Sequence, residues 1–250
     1  MLLEDISFPT PQENIVYDDV LLSMAEQGQS DEVLRFWESK DLFIVLGRIG
    51  KVENEVRVQR AVDDQIPILR RSSGGGTVLQ GPGCLNYSLV LSKARHPEIR
   101  NIRQSYSYIL AKVVSALATL GLRVLFMPTS DLTVAAGEKK FSGNAQKRGK
   151  NFILHHGTIL YDFDLRLIET YLQMPLVAPD YRRGRAHLSF VTNLSVPADP
   201  LKRSLEKVFC AGKGSCSPDE KRKFYLDKFL REREMMAGGG FPRCMAGAQR

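Results

Sequence analysis

Apolar positions recur at helical spacing in two stretches of this chain. In residues 12–27 they are Ile15, Val16, Val20, Leu21 and Met24. In residues 101–120 they are Ile102, Tyr106, Ile109, Leu110, Val113, Val114 and Leu117, which fall on one stripe. Side chains three and four apart share a helix face, so both stretches predict helices, the second packed on a core. Gly121 ends that helix, and a strand over 123–127 follows. Shorter apolar runs predict strands over 33–37, 42–47, 85–91, 132–134, 152–154 and 158–160, and short helices are expected over 52–61 and 164–173. Near the end, Ser217-Pro218-Asp219-Glu220 has the form of a capping box with proline at the first helical position. A helix running to Met236 would turn Leu226, Phe229 and Leu230 toward a core, and the glycine-rich remainder reads as a flexible end.

Two stretches carry chemistry. Residues 70–88 read RRSSGGGTVLQGPGCLNYS, between the apolar run 66–69 and the strand over 85–91. Glycines admit positive φ and let a ligand approach the main chain, while Arg70 and Arg71 supply fixed charge and forked donors for carboxylate or phosphate. A strand-loop-strand holding an elongated anionic or adenylated ligand is implied. Neither G-x-x-x-x-G-K-[ST] nor a helix-opening G-x-G-x-x-G is present. The second stretch, residues 130–164, reads SDLTVAAGEKKFSGNAQKRGKNFILHHGTILYDFD, with Lys140 just before Ser142-Gly143-Asn144-Ala145. Its adjacent His155 and His156 must point to opposite faces of a strand, one toward a ligand pocket and the other toward core or solvent.

Taken together these motifs resemble the lipoate–protein ligase A family of the biotin/lipoate ligase superfamily. The resemblance runs in order through Gly47-Arg48, Glu55-Val56, the RR-x-SGGG of 70–76, LNYS (85–88), DLTV (131–134), KKFSGNAQ (139–146), HHGTILYDFDL (155–165) and VTNLS (191–195). It implies an α+β fold, a mixed sheet carrying the pocket with helices on its other face. It further implies a catalytic domain over 1–196, a short helical appendage over 197–236 and a flexible tail over 237–250. The implied substrates are ATP, with Mg²⁺ expected and its ligands unassigned, and lipoate. Lipoate is first activated to lipoyl-AMP, and the acyl group then passes to a lysine on an apo lipoyl domain. Such domains belong to 2-oxoacid dehydrogenase complexes or to the glycine cleavage H protein.

By the same resemblance Lys140 is the catalytic residue, stabilising charge on carboxyl and phosphate oxygens in both steps. Arg71, Ser73, Gly74, Gly75 and Gly76 would line the lipoyl tunnel and adenylate, with Gly143, Asn144, Ala145, His156 and Gly157 as the opposite wall. Asp131 is expected to orient the nucleotide or Mg²⁺, or else to serve a turn; Asn86 and Tyr87 are weaker candidates because strand aromatics usually belong to cores. Longer members of the family carry an accessory domain after the VTNLS region, where only about 55 residues remain here. A separate accessory subunit, the helical appendage, or transfer of preformed lipoyl-AMP with a partner subunit would each meet that difference. The alternative within the superfamily is an octanoyl or lipoyl transferase working through a cysteine thioester without ATP. The cysteines here are Cys84, Cys210, Cys216 and Cys244, with no C-x-x-C pair and none between Cys84 and Cys210. Cys84, just before LNYS, is the one available candidate near the motifs.

Composition changes this picture little. The chain has 250 residues, 43% hydrophobic and 25% charged, ordinary values for a globular domain. Its net charge of +7 is spread over short clusters such as Lys147-Arg148 and Lys221-Arg222-Lys223 without interleaved aromatics. That pattern suits acidic partners and ATP better than nucleic acid. No metal site is expected from the cysteine and histidine spacing, and no apolar stretch reaches membrane-spanning length. An acidic N-terminal segment without a basic n-region leads us to expect a cytoplasmic protein.

Overall fold

The short apolar runs assemble, in the computed structural model, into two sheets; the structure describes residues 1–127, 129–136, 138–209 and 220–237. The strands in chain order are β1 (Leu2–Asp5), β2 (Val33–Trp37), β3 (Phe43–Leu46), β4 (Ile68–Arg70), β5 (Val78–Gln80), β6 (Cys84–Ser92), β7 (Val124–Met127), β8 (Asp131–Val134), β9 (Lys139–Arg148) and β10 (Phe152–Leu160). The helices are α1 (Pro11–Glu26), α2 (Val52–Glu55), α3 (Val58–Asp63), α4 (Ile102–Ala118), α5 (Arg166–Tyr171), α6 (His187–Phe190), α7 (Ala198–Phe209) and α8 (Glu220–Ala237). Seven strands form the large sheet in the order β1-β2-β6-β10-β9-β8-β7, and β4-β3-β5 form a small one. Among the described strands, β1–β2 and β3–β4 pair in parallel and the other sheet neighbours run antiparallel. The architecture is therefore α+β.

Local chemistry explains the ends of the long helices. Thr10 caps α1 through the Glu13 N–H while the Glu13 carboxylate returns to the Thr10 N–H, with Pro11 at the first position. Asn101 caps α4 by accepting from the N–H groups of Arg103 and Gln104. Gly121 follows α4 at φ +76, as its position in the sequence suggests.

Several expectations need correction. The helix expected over 52–61 is broken into α2 and α3, because Val56 is drawn out to bridge Leu172 and is buried there. The strands expected over 152–154 and 158–160 are the two ends of β10. Ile102 is the first residue of α4 and lies 56% exposed, outside the buried stripe of Ile109, Leu110, Val113 and Leu117. Helices also pack on both faces of the large sheet, not one. On one face α4 and α7 bring Leu110, Val113, Leu117, Leu201 and Leu205 against Leu34, Leu89, Phe141 and Ile153. On the other, α1 lays Val16, Val20, Leu21 and Met24 on Val33, Val90 and Leu154, and Leu226 of α8 joins them. The described helices of the expected appendage thus sit on opposite sides of the sheet. Cys210, Cys216, Cys244, the proposed cap at Ser217–Asp219 and the tail beyond Ala237 lie outside the described residues.

Candidate active site

Strand register arranges the site as rows across the large sheet. Directly opposed residues in antiparallel strands project to the same face. The first row runs Asp131, Gly143, Thr158, Asn86, Trp37 across β8, β9, β10, β6 and β2. The second runs Ala145, His156, Ser88, Arg35, and the third Lys147, Leu154, Val90, Val33. The third row packs under α1, and Trp37 of the first row, His156 of the second and Leu154 of the third all line a small pocket above the sheet. The small sheet and the loop between β4 and β5 supply its roof.

That loop is shaped from inside by Arg71, which is 9% exposed. Its guanidinium donates to Ser73 Oγ, to Val45 O, and to the carbonyls of Gly74 and Gly76. Burial lowers its pKa to about 10, so it remains charged at neutral pH. Gly75 needs its missing side chain twice over: its φ is +88, and a Cβ would stand 2.9 Å from Arg71 Nη2. The same loop passes so close to Gly47 that a Cβ there would meet Gly75 O at 1.9 Å. Arg70 braces the neighbouring turn by donating to the carbonyls of Gly47 and Gly50. Thr77 closes the loop against Glu55, donating to Glu55 Oε2 from its N–H at 3.1 Å and its hydroxyl at 2.5 Å. Both arginines and Glu55 are thereby spent largely on the loop, leaving its outward edge at Gly74 and Gly76 open for a ligand.

Roof and floor meet at three places. Ser73 Oγ lies 2.6 Å from His156 Nε2. Ala145 Cβ would be 3.8 Å from a Cβ on Gly75. Asp19 of α1 accepts from Ser72 Oγ, from Lys147 Nζ at 2.9 Å and from Arg233 of α8 at 2.5 Å. Serine and histidine at that distance have the geometry of a nucleophile and base. Burial and the Arg71 charge, however, hold His156 down to about 3, too weak a base to take a serine proton at neutral pH. The pair instead ties the loop to the sheet through one hydrogen bond.

Lys140 stands at the β8–β9 end of the first row. Its Nζ lies 2.8 Å from Asp131 Oδ1, and a Cβ on Gly143 would be 3.1 Å from that same nitrogen. Asp131 opens β8 as a strand residue, and its other oxygen accepts from Tyr181 OH at 2.7 Å. Burial, then the Asp131 charge, pushes the Tyr181 phenol well above its ordinary value, so it acts as a donor. An ammonium has three donors, so with Asp131 engaging one, Lys140 keeps others for ligand oxygens. Tyr181 is set in place by Arg185, which donates to Tyr181 O at 2.7 Å, and by the packing of Tyr181 against Phe190.

The expected site residues divide accordingly. Arg71, Ser73 and His156 line one small pocket, Gly75 lies against Ala145 with Gly74 and Gly76 on the open edge of the same loop, and Asp131, Lys140 and Gly143 meet at the β8–β9 end of the first row. Asn86 stands beside Thr158 in the first row and is linked through the Thr158 hydroxyl to Gln80. Asn144 and Gly157 point the other way: Asn144 Oδ1 accepts from buried Tyr87 at 2.5 Å, and a Cβ on Gly157 would meet that oxygen at 1.9 Å. They support the wall from behind, where Asn144 Nδ2 also donates to Ser130 O beside Asp131. His155 faces the α4 side, against Gln146 and Tyr106. Absent from the sequence reading were Tyr181, Asp19, Trp37, Gln80, Thr158 and the buried Asp18–Arg35 pair. Lys147, read from the sequence only as part of a basic cluster, alternates with Gly143 and Ala145 and so shares their face; Tyr181, 50 positions from Asp131, had no local signal.

The described residues hold no cluster of three His, Cys, Asp or Glu side chains suited to a metal ion, and Asp131 already gives both oxygens to protein partners. They therefore do not by themselves fit a Mg²⁺ site. Cys84 is fully buried in an apolar cluster with Ile44, Leu79 and Phe163, and burial pushes its thiol up to about 12.

The model of the lipoyl protein ligase A/B catalytic domain family matches residues 10–211. The chain belongs to that family. Its lipoyl protein ligase A/B relatives include a probable lipoate-protein ligase A of Mycoplasma pneumoniae, 31% identical over 66% of this chain. That match spans 46% of the Mycoplasma protein, less than half its length. The octanoyltransferase LipM of Oceanobacillus iheyensis is 27% identical over 80% of this chain and 78% of its own. Among solved structures, a bi-partite lipoate protein ligase of Thermoplasma acidophilum shares the fold with a TM-score of 0.79, at 22% identity and 92% coverage of each chain. Lipoate-protein ligase A bound with ATP gives 0.77 at 23% identity, covering 92% of this chain and 94% of that one.

Proposed function

We propose that this protein activates lipoate with ATP and transfers the lipoyl group to the lysine of an apo lipoyl domain. One observation carries the reading: Lys140 stands over Gly143 at one end of a polar row, held by Asp131, on the sheet face where Ala145 lies against a glycine loop with open main chain. In the first step a carboxylate oxygen attacks the α-phosphorus of ATP. The P–O bond to pyrophosphate breaks and its electron pair leaves with pyrophosphate. In the second, the neutral ε-amine of the acceptor lysine attacks the acyl carbon. The C–O bond to AMP breaks, and the amine gives up its proton to solvent. Negative charge moves between oxygens in both steps, so a fixed ammonium and backbone donors are suitable catalysts. Lys140 supplies the charge, Asp131 and Tyr181 aim it, and the 74–76 loop presents main chain to the adenylate.

Acceptors with acidic surfaces, such as the lipoyl domains of 2-oxoacid dehydrogenase complexes or the H protein, suit a chain of net charge +7. A separate accessory subunit remains part of the proposal, in keeping with the bi-partite organisation of the Thermoplasma neighbour.

The LipM relative makes thioester transfer the competing reading. Cys84 argues against its own use as the nucleophile, since a thiol buried at 0% exposure and held near 12 carries almost no thiolate at neutral pH. Incubation with ATP, lipoate and an apo lipoyl domain, read by intact mass, tests the choice. The ligase reading expects the lipoyl mass increment on the domain and stoichiometric AMP. Modification from octanoyl carrier protein without ATP, and none from lipoate with ATP, would replace it with the transferase.

A further inference from the structure

Helix α8 lies antiparallel along α1 and the turn after it, in a single register. Arg222 donates to Ser30 Oγ at 3.2 Å, Tyr225 OH to Gln27 Oε1 at 3.1 Å, and Arg233 to Asp19 Oδ2 at 2.5 Å. Each step forward along α8 is matched by an equal step back toward the start of α1. Leu226 is buried against the α1 cluster, with Phe229 and Leu230 packed beside it. The two ends of α8 meet different parts of the molecule. Arg222 also pairs with the buried Glu4 of β1, whereas Arg233 reaches the glycine loop.

Arg233 takes hold of that loop on both sides of Arg71. Its Nη1 donates to the carbonyl of Arg70 at 3.3 Å, at the end of β4, an edge strand of the small sheet. Its Nη2 engages Asp19, whose other oxygen accepts from Ser72 Oγ and from Lys147 Nζ. Asp19 and Ser72 in turn line the small pocket. A planar guanidinium serves two acceptors at once in a fixed geometry, which an ammonium does not. Arg71 thus shapes the loop from inside, and Arg233 fastens its entry from outside. The ties of Ser73 to His156 and of Thr77 to Glu55 lie further along the loop. The Asp19 side chain is 4% exposed and that of Arg233 30%, so the latch is partly shielded from water. Local opening of a loop is governed by the few contacts that hold it, and a loop already in its receiving form binds without an ordering cost.

We propose that Arg233 is a positioning residue for the glycine loop. From α8 it holds Arg70 and, through Asp19, Ser72, and so keeps the roof of the pocket in the form that receives the ligand. The helix at 220–237 thereby sets ligand affinity without touching the ligand. The latch stands whatever the ligand is; only the identity of that ligand as a carboxylic acid rests on the acid-activating reading.

Hydrogen exchange of the full chain without ligand, followed by mass spectrometry, reads the latch directly. In Arg233→Ala the backbone amides of 70–77 should exchange at least about tenfold faster, while those of α4 and β6 keep their rates. Alanine is a strong helix former, so α8 itself should persist. Arg233→Lys, which keeps a charged donor for Asp19, should fall between the two. In turnover with ATP, KM for lipoate should rise at least about fivefold in Arg233→Ala, with kcat changed less than about twofold. A role in packing alone would speed exchange throughout α1 and α8 and leave KM untouched. That result, unchanged exchange in 70–77, or an unchanged KM overturns the proposal. No turnover of lipoate by the unmodified protein overturns the acid-activating reading, and the exchange comparison then decides the latch by itself.

Discussion

At β10 the two faces of the large sheet can be compared residue by residue. Ile153, His155 and Ile159 turn toward α4, where Leu89, Leu110, Val113 and Phe141 make a cluster that is apolar almost throughout. Leu154, His156 and Thr158 turn toward α1 and the glycine loop, and two of these three are hydrogen-bonded across to other elements. On that side Arg35 is fully buried, donating to Asp18 at 2.7 Å and to Asn14, with Phe8, Tyr17 and Trp37 rings about it. Burial raises the Asp18 pKa against the pull of Arg35 and Ser88. Folding alone rarely favours such a pair over apolar residues of the same volume. The difference teaches how each face is held: the α4 face by apolar packing, and the pocket face by buried polar groups that satisfy one another.

Arg35→Ala should break this division most severely, by leaving Asp18 buried and uncompensated. Its expected cost is about 3–5 kcal/mol in urea unfolding. Replacing both partners, Arg35→Met with Asp18→Leu, should restore much of that stability. Recovery by the pair but not the single variant would sharpen the comparison; a harmless Arg35→Ala would break it.

On the opposite face, Leu110→Ala should cost about 2–5 kcal/mol through a cavity under α4. Turnover per folded molecule should be unaffected. A selective rise in KM for the acid would mean the faces are coupled.

The adjacent histidines give a pH test. Burial depresses both to about 3, aided by the His156 charge for His155 and by Arg71 for His156. The unfolded chain, with histidines near 6.5, then binds more protons than the folded one between those values. Their contribution to stability is complete above about pH 6.5 and is lost progressively as pH falls toward 3. Unfolding free energies measured from pH 7 to pH 4 should decline, less steeply in His155→Phe than in the unmodified protein.

The smallest effect is expected at Cys84→Ser, about 1 kcal/mol of stability and most of the turnover retained. A covalent acyl adduct on Cys84, with a dead but folded serine variant, would transfer the mechanism to the thiol.

Much of this was legible in the sequence because it is local. The pattern at 33–37 predicts β2 to the residue, the glycine run marks a loop, and alternation separates His155 from His156. What was not legible is register. Nothing near Trp37 announces that it stands opposite Asn86, or that Gln80 reaches Thr158 across 78 positions. Alternation also supplies a face only relative to a neighbour, so Asn144 and Gly157 were expected inside a pocket whose back they support. The break at Val56 arises from pairing with Leu172, again a distant partner.

The central claim is that Lys140 supplies the charge for an ATP-dependent acyl transfer. Formation of acyl-AMP from lipoate and ATP, followed in a single turnover by Lys140→Ala and the unmodified protein, tests it most directly. The account predicts acyl-AMP from the unmodified protein and a rate lower by roughly 10²-fold or more in the variant. It also predicts nearly unchanged unfolding, since the Lys140 side chain is 27% exposed and pairs with Asp131 at the pocket. Undiminished acyl-AMP formation by the folded variant would contradict the account.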